Sequence, residues 1–199
     1  MIEIHKNDLG VTTVHDSVDD AVGVGKNNWY VAIVNNRTEK ASALKLAGLG
    51  YGCFVATQQE LHIWKNGRRA KVDRIVIPSM VFIHCTETER RKIVTLPFIF
   101  RFLTNKASNS SPTGRPVAII PPFQMQQLRF MLGKSDRPVE FVEGRYRQGD
   151  KVRIIRGSLC GLEGEVLTSD NGKKELLIRL DILGCAKVLI DAIEIEPIE

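Results

Sequence analysis

The sequence predicts an α+β fold in which an antiparallel sheet with helices precedes a small β-barrel. Three observations support this prediction. Strand and helix patterns alternate along residues 29–134, residues 135–147 are polar and have the character of a linker, and residues 148–199 contain only short strand patterns separated by glycines. Residues 1–28 are polar and acidic, and we expect them to form an N-terminal extension.

The first predicted strand and helix follow this extension. Residues 29–34 form an aromatic and β-branched run that two asparagines end, as is typical of a strand. Asn36 and Glu39 have the spacing of a capping box, which predicts that a helix begins there. The residues expected on the apolar face of this helix are Ala41, Leu44 and Ala47.

A basic hairpin is predicted after a second strand at residues 51–57. Its arms, within residues 61–72, are joined by Asn66 and Gly67, a turn in which both residues are expected to have positive φ. The cations that cluster at its tip are Lys65, Arg68, Arg69 and Lys71. Such charges are typical either of contact with a polyanion or of a solvated hairpin end.

The apolar run at residues 75–85 predicts the next strand. Pro78 interrupts the run, and because proline cannot donate to a sheet ladder, the strand must lie at an edge, contain a bulge or begin near this residue. The other elements predicted in this part are a helix at 87–95, a strand at 98–103, a loop at 104–116 and a helix that begins at Pro121 and Pro122.

The C-terminal region has the pattern of a small barrel. Residues 150–155, 176–180 and 188–195 predict strands, and Asn171 with Gly172 predicts a hairpin turn. The glycines expected to permit tight turns and close backbone approaches are Gly157, Gly161 and Gly164. Short strands and tight turns within about fifty residues favour a barrel.

The formal charge of +5 is distributed unevenly along the chain. Residues 1–28 and residues 149–199 each have a net charge of −3, whereas residues 29–148 contain 19 basic and 8 acidic side chains. A basic middle segment favours a nucleic-acid partner for that part of the chain. On charge alone, a well-solvated surface rich in lysine and arginine explains the excess equally well.

No sequence pattern predicts catalysis. The four histidines lack metal-binding spacing, and no nucleophile elbow or phosphate-binding loop occurs. The four cysteines lie far apart, which argues against a zinc site or a disulfide framework. We therefore expect a protein without enzymatic activity, catalytic residues, cofactor or metal. No run of about 18 apolar residues predicts a membrane span, so we expect a cytoplasmic protein.

The spaced glycines and the order of motifs resemble a known family. Residues 149–166 resemble a KOW motif, which ribosomal proteins also carry. Residues 29–31, residues 37–40, the basic hairpin and residues 77–83 follow one another as in the N-terminal domain of the NusG family of transcription elongation factors. The resemblance extends over residues 29–199. The leader and the charged hairpin look closer to the specialised antiterminators RfaH and UpxY than to NusG itself.

The resemblance implies a ferredoxin-like NGN domain at residues 29–134, a linker, and an SH3-like KOW barrel at residues 148–199. In the family, the first domain binds the clamp helices of the largest RNA polymerase subunit, bridges the cleft over the DNA and suppresses pausing or termination. The residues that the resemblance places in this polymerase-binding surface are Tyr30, Ile77, Pro78, Met80 and Phe82. From alternation alone, Ile77, Met80 and Phe82 could equally face the core of their own domain.

The resemblance also implies contacts with DNA and with a second protein. The candidates for contact with DNA near the transcription bubble are Arg37, Lys40, Lys65, Arg68, Arg69, Lys71 and Arg101. The KOW barrel of the family recruits Rho or a ribosomal protein through a loop, which matches Ile182, Leu183 and Gly184 here. An alternative function is that of a ribosome-associated RNA-binding protein.

Overall fold

The structure is a computed structural model that describes residues 25–105, 115–143, 149–168, 172–180, 183–191 and 194–198. The chain divides into two compact units, and each unit combines two separate stretches of sequence. The first unit comprises Met1–Ala56 and Ile77–Pro122. The second unit comprises Thr57–Val76 and Phe123–Glu199.

Helices and short strands alternate along the first half of the chain. In chain order, the elements are β1 (Asn28–Ile33), α1 (Glu39–Gly48), β2 (Gly52–Phe54), β3 (Thr57–Ile63), β4 (Arg69–Ile75), β5 (Met80–Cys85), α2 (Glu87–Ile93), β6 (Arg101–Phe102), β7 (Ile119–Ile120) and α3 (Pro122–Lys134). The strands that follow are β8 (Glu140–Glu143), β9 (Asp150–Ile154), β10 (Glu163–Thr168), β11 (Lys174–Leu180), β12 (Gly184–Ile190) and β13 (Ile195–Pro197).

The first unit is built on an antiparallel sheet with the strand order β2-β5-β1-β6, and β7 also pairs with β1. Residues on β1 and β5 alternate between the two faces, so Tyr30 lies opposite Ile83 and Ala32 lies opposite Val81 on one face. These four residues belong to a buried cluster that also contains Leu46 of α1. The interior of this unit therefore lies between its sheet and helix α1.

Helix α1 departs from the prediction at its start and on its buried face. Its N-cap is Thr38, whose side chain caps no backbone N–H, so the predicted capping box at Asn36 is wrong. The predicted apolar face is also wrong, because Leu44 is 67% exposed. The helix residues that are buried are Glu39, Ser42 and Leu46.

A capping box does occur at the start of α2. The Thr86 hydroxyl accepts a hydrogen bond from the Glu89 N–H at 3.2 Å, and the Glu89 carboxylate accepts one from the Thr86 N–H at 2.8 Å. Two donors that a helix start leaves unpaired are thereby satisfied. The cap fixes the point at which β5 passes into α2.

The second unit contains the hairpin β3–β4, most of α3 and a C-terminal sheet. The described strands of that sheet follow the order β13-β9-β10-β11-β12-β8 and pair in antiparallel fashion. Strand β8 lies inside residues 135–147, the range predicted as a linker, and Val142 pairs with Cys185 of β12. The prediction of an α+β chain that ends in an all-antiparallel β region is confirmed.

Candidate functional site

The hairpin β3–β4 is held at its tip by backbone hydrogen bonds. The Trp64 N–H donates to the Arg68 carbonyl at 2.9 Å, and the Gly67 N–H donates to the Trp64 carbonyl at 2.9 Å. Gly67 has a φ of 79°, whereas Asn66 is absent from the described residues with positive φ. The prediction of a turn with positive φ at both residues is therefore wrong. A three-residue loop ending in a left-handed glycine joins the arms.

The side chain of Asn66 stabilises this loop in a different way from that predicted. Its Oδ1 atom accepts a hydrogen bond from the Arg68 N–H at 3.1 Å. Asparagine commonly makes such a bond to the backbone two residues further on. The loop is therefore fixed by three hydrogen bonds, and it presents the neighbouring side chains in a defined arrangement.

Two different faces meet at the hairpin tip, residues 61–71. One is the aliphatic face, formed by Leu61, Ile63, Arg69 and Lys71, where Ile63 pairs with Arg69 and Leu61 pairs with Lys71. Leu61 and Ile63 are 59% and 54% exposed. Strand alternation places His62 and Trp64 on the opposite side. We call this side, with Arg68, the aromatic face.

The aromatic face is a compact cluster of two rings and a guanidinium group. The ring centroids of His62 and Trp64 lie 4.6 Å apart at an interplanar angle of 77°. The Arg68 guanidinium carbon lies 5.7 Å from the centroid of the Trp64 ring. This distance fits a cation–π contact, which is weakest where water reaches the pair. Sequence analysis did not single out Trp64, although its place beside the turn was visible.

The predicted cations of the hairpin are brought together at this tip. The four residues Lys65, Arg68, Arg69 and Lys71 are all exposed. Among the described residues, none of the four forms a salt bridge. The stretch Thr57–Ile75 contains five basic and two acidic side chains, so its net charge is positive. The tip is therefore a cationic surface whose charges are available to a polyanion.

A set of polar contacts, which we call the base clamp, fixes the other end of the hairpin. The Gln58 amide donates to the carbonyls of Ser135 and Arg137 at 3.3 and 2.8 Å, and its oxygen accepts from the Val139 N–H at 2.8 Å. Arg74 donates to the Val139 carbonyl at 2.9 Å. The base clamp ties the hairpin to the segment between α3 and β8. Sequence analysis missed it because none of its spacings is local.

Arg74 is positioned for the base clamp by its own neighbours on the hairpin. Its Nε atom pairs with the Glu60 carboxylate at 2.8 Å, and its Nη2 atom lies 3.3 Å from the Gln58 amide oxygen. Glu60 and Arg74 occupy neighbouring strands on the same face as Gln58. The Arg74 guanidinium therefore stabilises the base of the hairpin through these contacts, whereas the cations at the tip form no salt bridge among the described residues.

The other predicted DNA contacts belong to the first unit. Arg37, Lys40 and Arg101 are exposed. Arg37 precedes α1 and has a φ of 69°, a left-handed conformation that non-glycine residues rarely adopt. Lys40 lies in the first turn of α1, and Arg101 begins β6. These positions lie on three different parts of the chain.

The predicted polymerase-binding residues differ widely in exposure. Ile77 and Phe82 are fully buried, and Tyr30 is 2% exposed. Met80 is half-buried, and Pro78 is exposed. Phe82 packs near Phe54, with ring centroids 6.0 Å apart. Of the five residues, only Pro78 and Met80 offer surface in this structure.

The turn that carries Pro78 is held by a buried carboxylate. Ser79 has a φ of 61°, so the chain adopts a left-handed conformation immediately before β5. The Ser79 N–H donates to Glu39 Oε1 at 2.6 Å, and the Ser79 carbonyl accepts from the Val34 N–H at 2.9 Å. Glu39 is fully buried, and its Oε2 atom has no hydrogen-bond partner. Glu39 is thus committed to this turn rather than to a helix cap.

Tyr30 contributes to a cluster that joins the sheet to α2. Its hydroxyl donates to Glu87 at 3.4 Å, and Arg90 lies over the rings of Tyr30 and Phe102 at 5.9 and 5.3 Å. Hydrogen bonds from Arg90 to Glu87 lower the pKa of the Glu87 carboxyl to about 2. Burial raises the pKa of Tyr30. The cluster orders α2 and leaves Tyr30 little free surface.

The C-terminal sheet places its glycines at turns and at a close contact. Gly157 and Gly161 have φ values of 84° and 89°. A Cβ atom at Gly164 would lie 2.7 Å from the Leu177 carbonyl oxygen, so a side chain there would collide with β11. Leu183 is 7% exposed, and Gly184 begins β12. The predicted partner-binding residue Ile182 lies outside the described residues.

Neither a metal cluster nor a membrane-spanning helix occurs in the parts of the chain that the structure describes. No group of three or more histidine, cysteine or acidic side chains could hold a metal ion there. None of the helices described is long and apolar enough to cross a membrane. All four cysteines are free thiols, and burial raises the pKa of Cys53 to about 11 and that of Cys85 to about 12.

Comparison with known sequences gives a family match. Residues 27–129 match the family model described as "Transcription termination factor nusG". The transcription termination/antitermination protein NusG of Streptococcus pyogenes serotype M3 is 23% identical over 124 residues, and that of serotype M1 gives the same values. The alignments cover 61% of this chain and 65% of each relative. The chain therefore spans somewhat less than two thirds of the length of these relatives.

Comparison with solved structures gives weaker likenesses. A structure entitled "Domain interaction in Thermotoga maritima NusG" is 20% identical and has a TM-score of 0.43, over 87% of this chain and 98% of that chain. A structure of the MjSpt4:Spt5 complex is 10% identical and has a TM-score of 0.27, over 85% of this chain and 97% of that chain.

Proposed function

Because this chain belongs to the NusG family, whose model matches residues 27–129, we propose that it is a non-enzymatic transcription elongation and antitermination factor. It binds RNA polymerase and contacts DNA through the hairpin tip. The observation that carries the proposal is the cationic tip, where Lys65 and Arg68 are exposed at the hydrogen-bonded loop and Arg69 and Lys71 are exposed at the start of β4. Unpaired cations suit phosphate contacts, which fix position on DNA without reading sequence.

The polymerase-binding surface that we propose is centred on Pro78 and Met80. Both offer surface, and Pro78 lies in a turn that Glu39 holds through the Ser79 N–H. A rigid apolar projection suits docking on a helical partner such as the clamp helices of the largest subunit. Phe82 lies two residues beyond Met80 on β5 and therefore on the same face of the sheet, whereas Tyr30 pairs with Ile83 on the opposite face. Because Ile77 and Phe82 are fully buried, they take no direct part unless their neighbours move.

We assign the C-terminal region, residues 148–199, the recruitment of a second protein such as Rho or a ribosomal protein. The net charge of −3 over residues 149–199 makes this region a poor partner for nucleic acid. The segment around Leu183 and Gly184 joins β11 to β12 and remains our candidate contact. Leu183 itself is largely buried, so only a small part of its side chain could enter that contact.

Binding to purified core RNA polymerase tests the polymerase contact. We expect the full chain to bind, and we expect Met80→Asp to weaken binding at least about tenfold because an acid would enter an apolar contact. Leu44→Asp is the matched control, since it places the same charge on an exposed apolar residue of α1. Failure of the folded wild-type chain to bind core polymerase would refute the proposed function.

Transcription through a defined pause site tests the function of the hairpin tip. Replacing Lys65, Arg68, Arg69 and Lys71 by alanine should leave polymerase binding intact and restore the pause lifetime toward that without the factor. The effect of the wild-type chain should weaken as salt rises, since phosphate contacts release counterions. Sedimentation with ribosomal subunits but not with polymerase would favour a ribosome-associated RNA-binding protein instead.

A further inference from the structure

One residue between α3 and β8 contacts both the hairpin and the C-terminal sheet. The Arg137 carbonyl accepts a hydrogen bond from the Gln58 amide of β3 at 2.8 Å. The Arg137 guanidinium donates to the Leu189 carbonyl of β12 at 3.0 Å and to the Asp191 carboxylate at 2.6 Å. Arg137 is therefore the point at which the base clamp is joined to the sheet.

We propose that Arg137 is a positioning residue, which holds the hairpin in a fixed direction relative to the C-terminal sheet. The hairpin and the sheet are far apart in sequence, yet both belong to the second unit. The inference rests on the proposed function in one respect, namely that the hairpin tip contacts DNA. It goes beyond that function because it makes the place of the DNA contact depend on the region to which we assign recruitment of a second protein.

Residues 135–139, which we call the strap, are ordered by their own contacts. The Ser135 hydroxyl donates to the Arg137 carbonyl at 2.8 Å and accepts from the Arg137 N–H at 3.2 Å. Pro138 follows, and its ring restricts the backbone there. Val139 is fully buried, and the base clamp binds both its N–H and its carbonyl. The strap is therefore a rigid connection rather than a flexible linker.

Strand pairing fixes the C-terminal end of the strap but not its middle. Glu140, the first residue of β8, pairs with Lys187 of β12. Nearer α3, Asp136 accepts one hydrogen bond at 3.2 Å from the hydroxyl of Ser158, an exposed contact. Without the Arg137 contacts, the part of the strap that carries the base clamp would be free to turn about Glu140. Arg137 thus holds the strap at the place where the hairpin is attached.

The contacts of Arg137 restrict direction as well as distance. A planar guanidinium that donates to two separate acceptors has little freedom to rotate. The ion pair alone contributes little, because the Arg137 and Asp191 side chains are 36% and 64% exposed. The bond to the Leu189 carbonyl adds an acceptor that belongs to the backbone of the sheet. Strap and sheet leave between them a cavity of about 30 Å³, which has room only for water.

Distances between two spin labels on the free protein test the position of the hairpin. One label is attached to Cys160, which is exposed in the turn between β9 and β10, and the other to the hairpin tip through Lys65→Cys. Brief labelling spares the other thiols, since Cys53 and Cys85 have raised pKa values and Cys185 is buried. Pulsed electron paramagnetic resonance of this doubly labelled chain should give a single narrow distance distribution.

Further variants, made in the same labelled chain, assign that distribution to Arg137. Arg137→Ala should lose the single narrow peak, because the middle of the strap separates from β12. Arg137→Lys keeps the charge without the planar fork, so its distribution should lie between those two. Arg153→Ala is the matched control and should keep the narrow peak, since its side chain hydrogen-bonds only to Glu163 among the described residues. If Arg137→Ala does not fold, Asp191→Asn weakens the same contact from a more exposed side chain and should broaden the peak.

Transcription through the defined pause site then tests whether the position of the tip matters. Arg137→Ala should bind core polymerase as the wild-type chain does and lose part of the pause suppression, whereas Arg153→Ala should retain it. A narrow peak in Arg137→Ala, or a broad one in the unaltered labelled chain, would refute the positioning role. A broadened peak with unchanged pause suppression would refute the dependence of the DNA contact on the C-terminal sheet. Failure to bind polymerase would overturn the proposed function alone, because the distances are measured without polymerase.

Discussion

The side chain of Gln58 accepts a hydrogen bond from the backbone N–H of Val139, although 81 residues separate them in sequence. Gln58 is 5% exposed and Val139 is fully buried. The same amide group also donates to two carbonyls of the segment that leads to β8. The Gln58 side chain therefore serves as the hydrogen-bond partner of three backbone groups, the carbonyls of Ser135 and Arg137 and the Val139 N–H. In a regular strand, a neighbouring strand would have supplied these partners.

Replacing Gln58 by alanine should destabilise the second unit by about 1–3 kcal/mol, because buried backbone groups lose their partners. Gln59→Ala is the matched control, since Gln59 is exposed on the other face of β3. Denaturant unfolding measures the loss of stability. Hydrogen exchange should show the Val139 amide losing protection in Gln58→Ala but not in Gln59→Ala. Unchanged exchange at Val139 would contradict the importance of this contact.

Ser79→Gly should stabilise the first unit by up to about 1 kcal/mol. Serine at a φ of 61° carries backbone strain that glycine does not, although glycine loses more entropy on folding. Ser79→Val should destabilise instead, because a β-branched side chain is least tolerated at positive φ. Thermal unfolding of both variants checks the order. A glycine variant less stable than the valine variant would contradict the left-handed turn.

Glu39→Ala should cost about 1–3 kcal/mol, since the half-buried Ser79 N–H would lose the acceptor that the buried Glu39 carboxylate provides. Glu39→Gln retains an acceptor oxygen and should cost less. The comparison separates loss of the hydrogen bond from loss of charge, and it is made by chemical denaturation at pH 7. If glutamine proves as harmful as alanine, the charge of Glu39 matters more than the bond to Ser79.

The Glu87 carboxyl should make stability depend on pH in the acid range. Its pKa in the folded chain is lowered to about 2, chiefly by hydrogen bonds from Arg90, so the ionised group favours the folded state. That contribution is complete above the ordinary value near 4.5 and is lost as pH falls toward 2. Glu87→Gln should therefore lower the unfolding temperature at pH 7 but have little effect at pH 2. An equal effect at both pH values would contradict the ion pair.

Cys160 should be the thiol that reacts first with a soluble disulfide reagent. It is exposed, whereas burial raises the pKa of Cys53 to about 11 and of Cys85 to about 12, and Cys185 is buried. Thiolate is the reactive form, so these three should react slowly at pH 8. Cys160→Ser should abolish the fast phase, and denaturant should expose the remaining thiols. A fast phase that persists in this variant would contradict the assignment.

The sequence predicts the local features of this chain better than the contacts between distant segments. The turn at Gly67 and the strand β1 are visible because their signals lie within a few neighbouring residues. The face of α1 is mispredicted because burial of Glu39 depends on the Ser79 N–H, which lies 40 residues away. Strand β8 is missed because its four residues gain strand character from pairing with β12. Local polarity alone gives no sign of that pairing.

In the candidate site, too, the features that depend on neighbouring residues are predictable from the sequence, and those that depend on distant segments are not. The cations of the hairpin tip are evident from sequence, because a charged turn between two strands needs no distant partner to remain exposed. The burial of Ile77 and Phe82 is not evident, because alternation does not say which side of a strand is covered. The base clamp depends on Gln58 and Arg74, two polar residues whose partners are backbone atoms. Backbone partners leave no residue-type signal in a sequence.

The division of the chain has a consequence for its synthesis. The hairpin Thr57–Ile75 is made early, but its partners in the second unit begin at Phe123. During translation, Gln58 must therefore remain without its clamp until Val139 has left the ribosome, several seconds later at ordinary elongation rates. The first unit can complete its sheet before that moment. We expect the hairpin to become protected from proteases only after the ribosome has released the segment that follows α3.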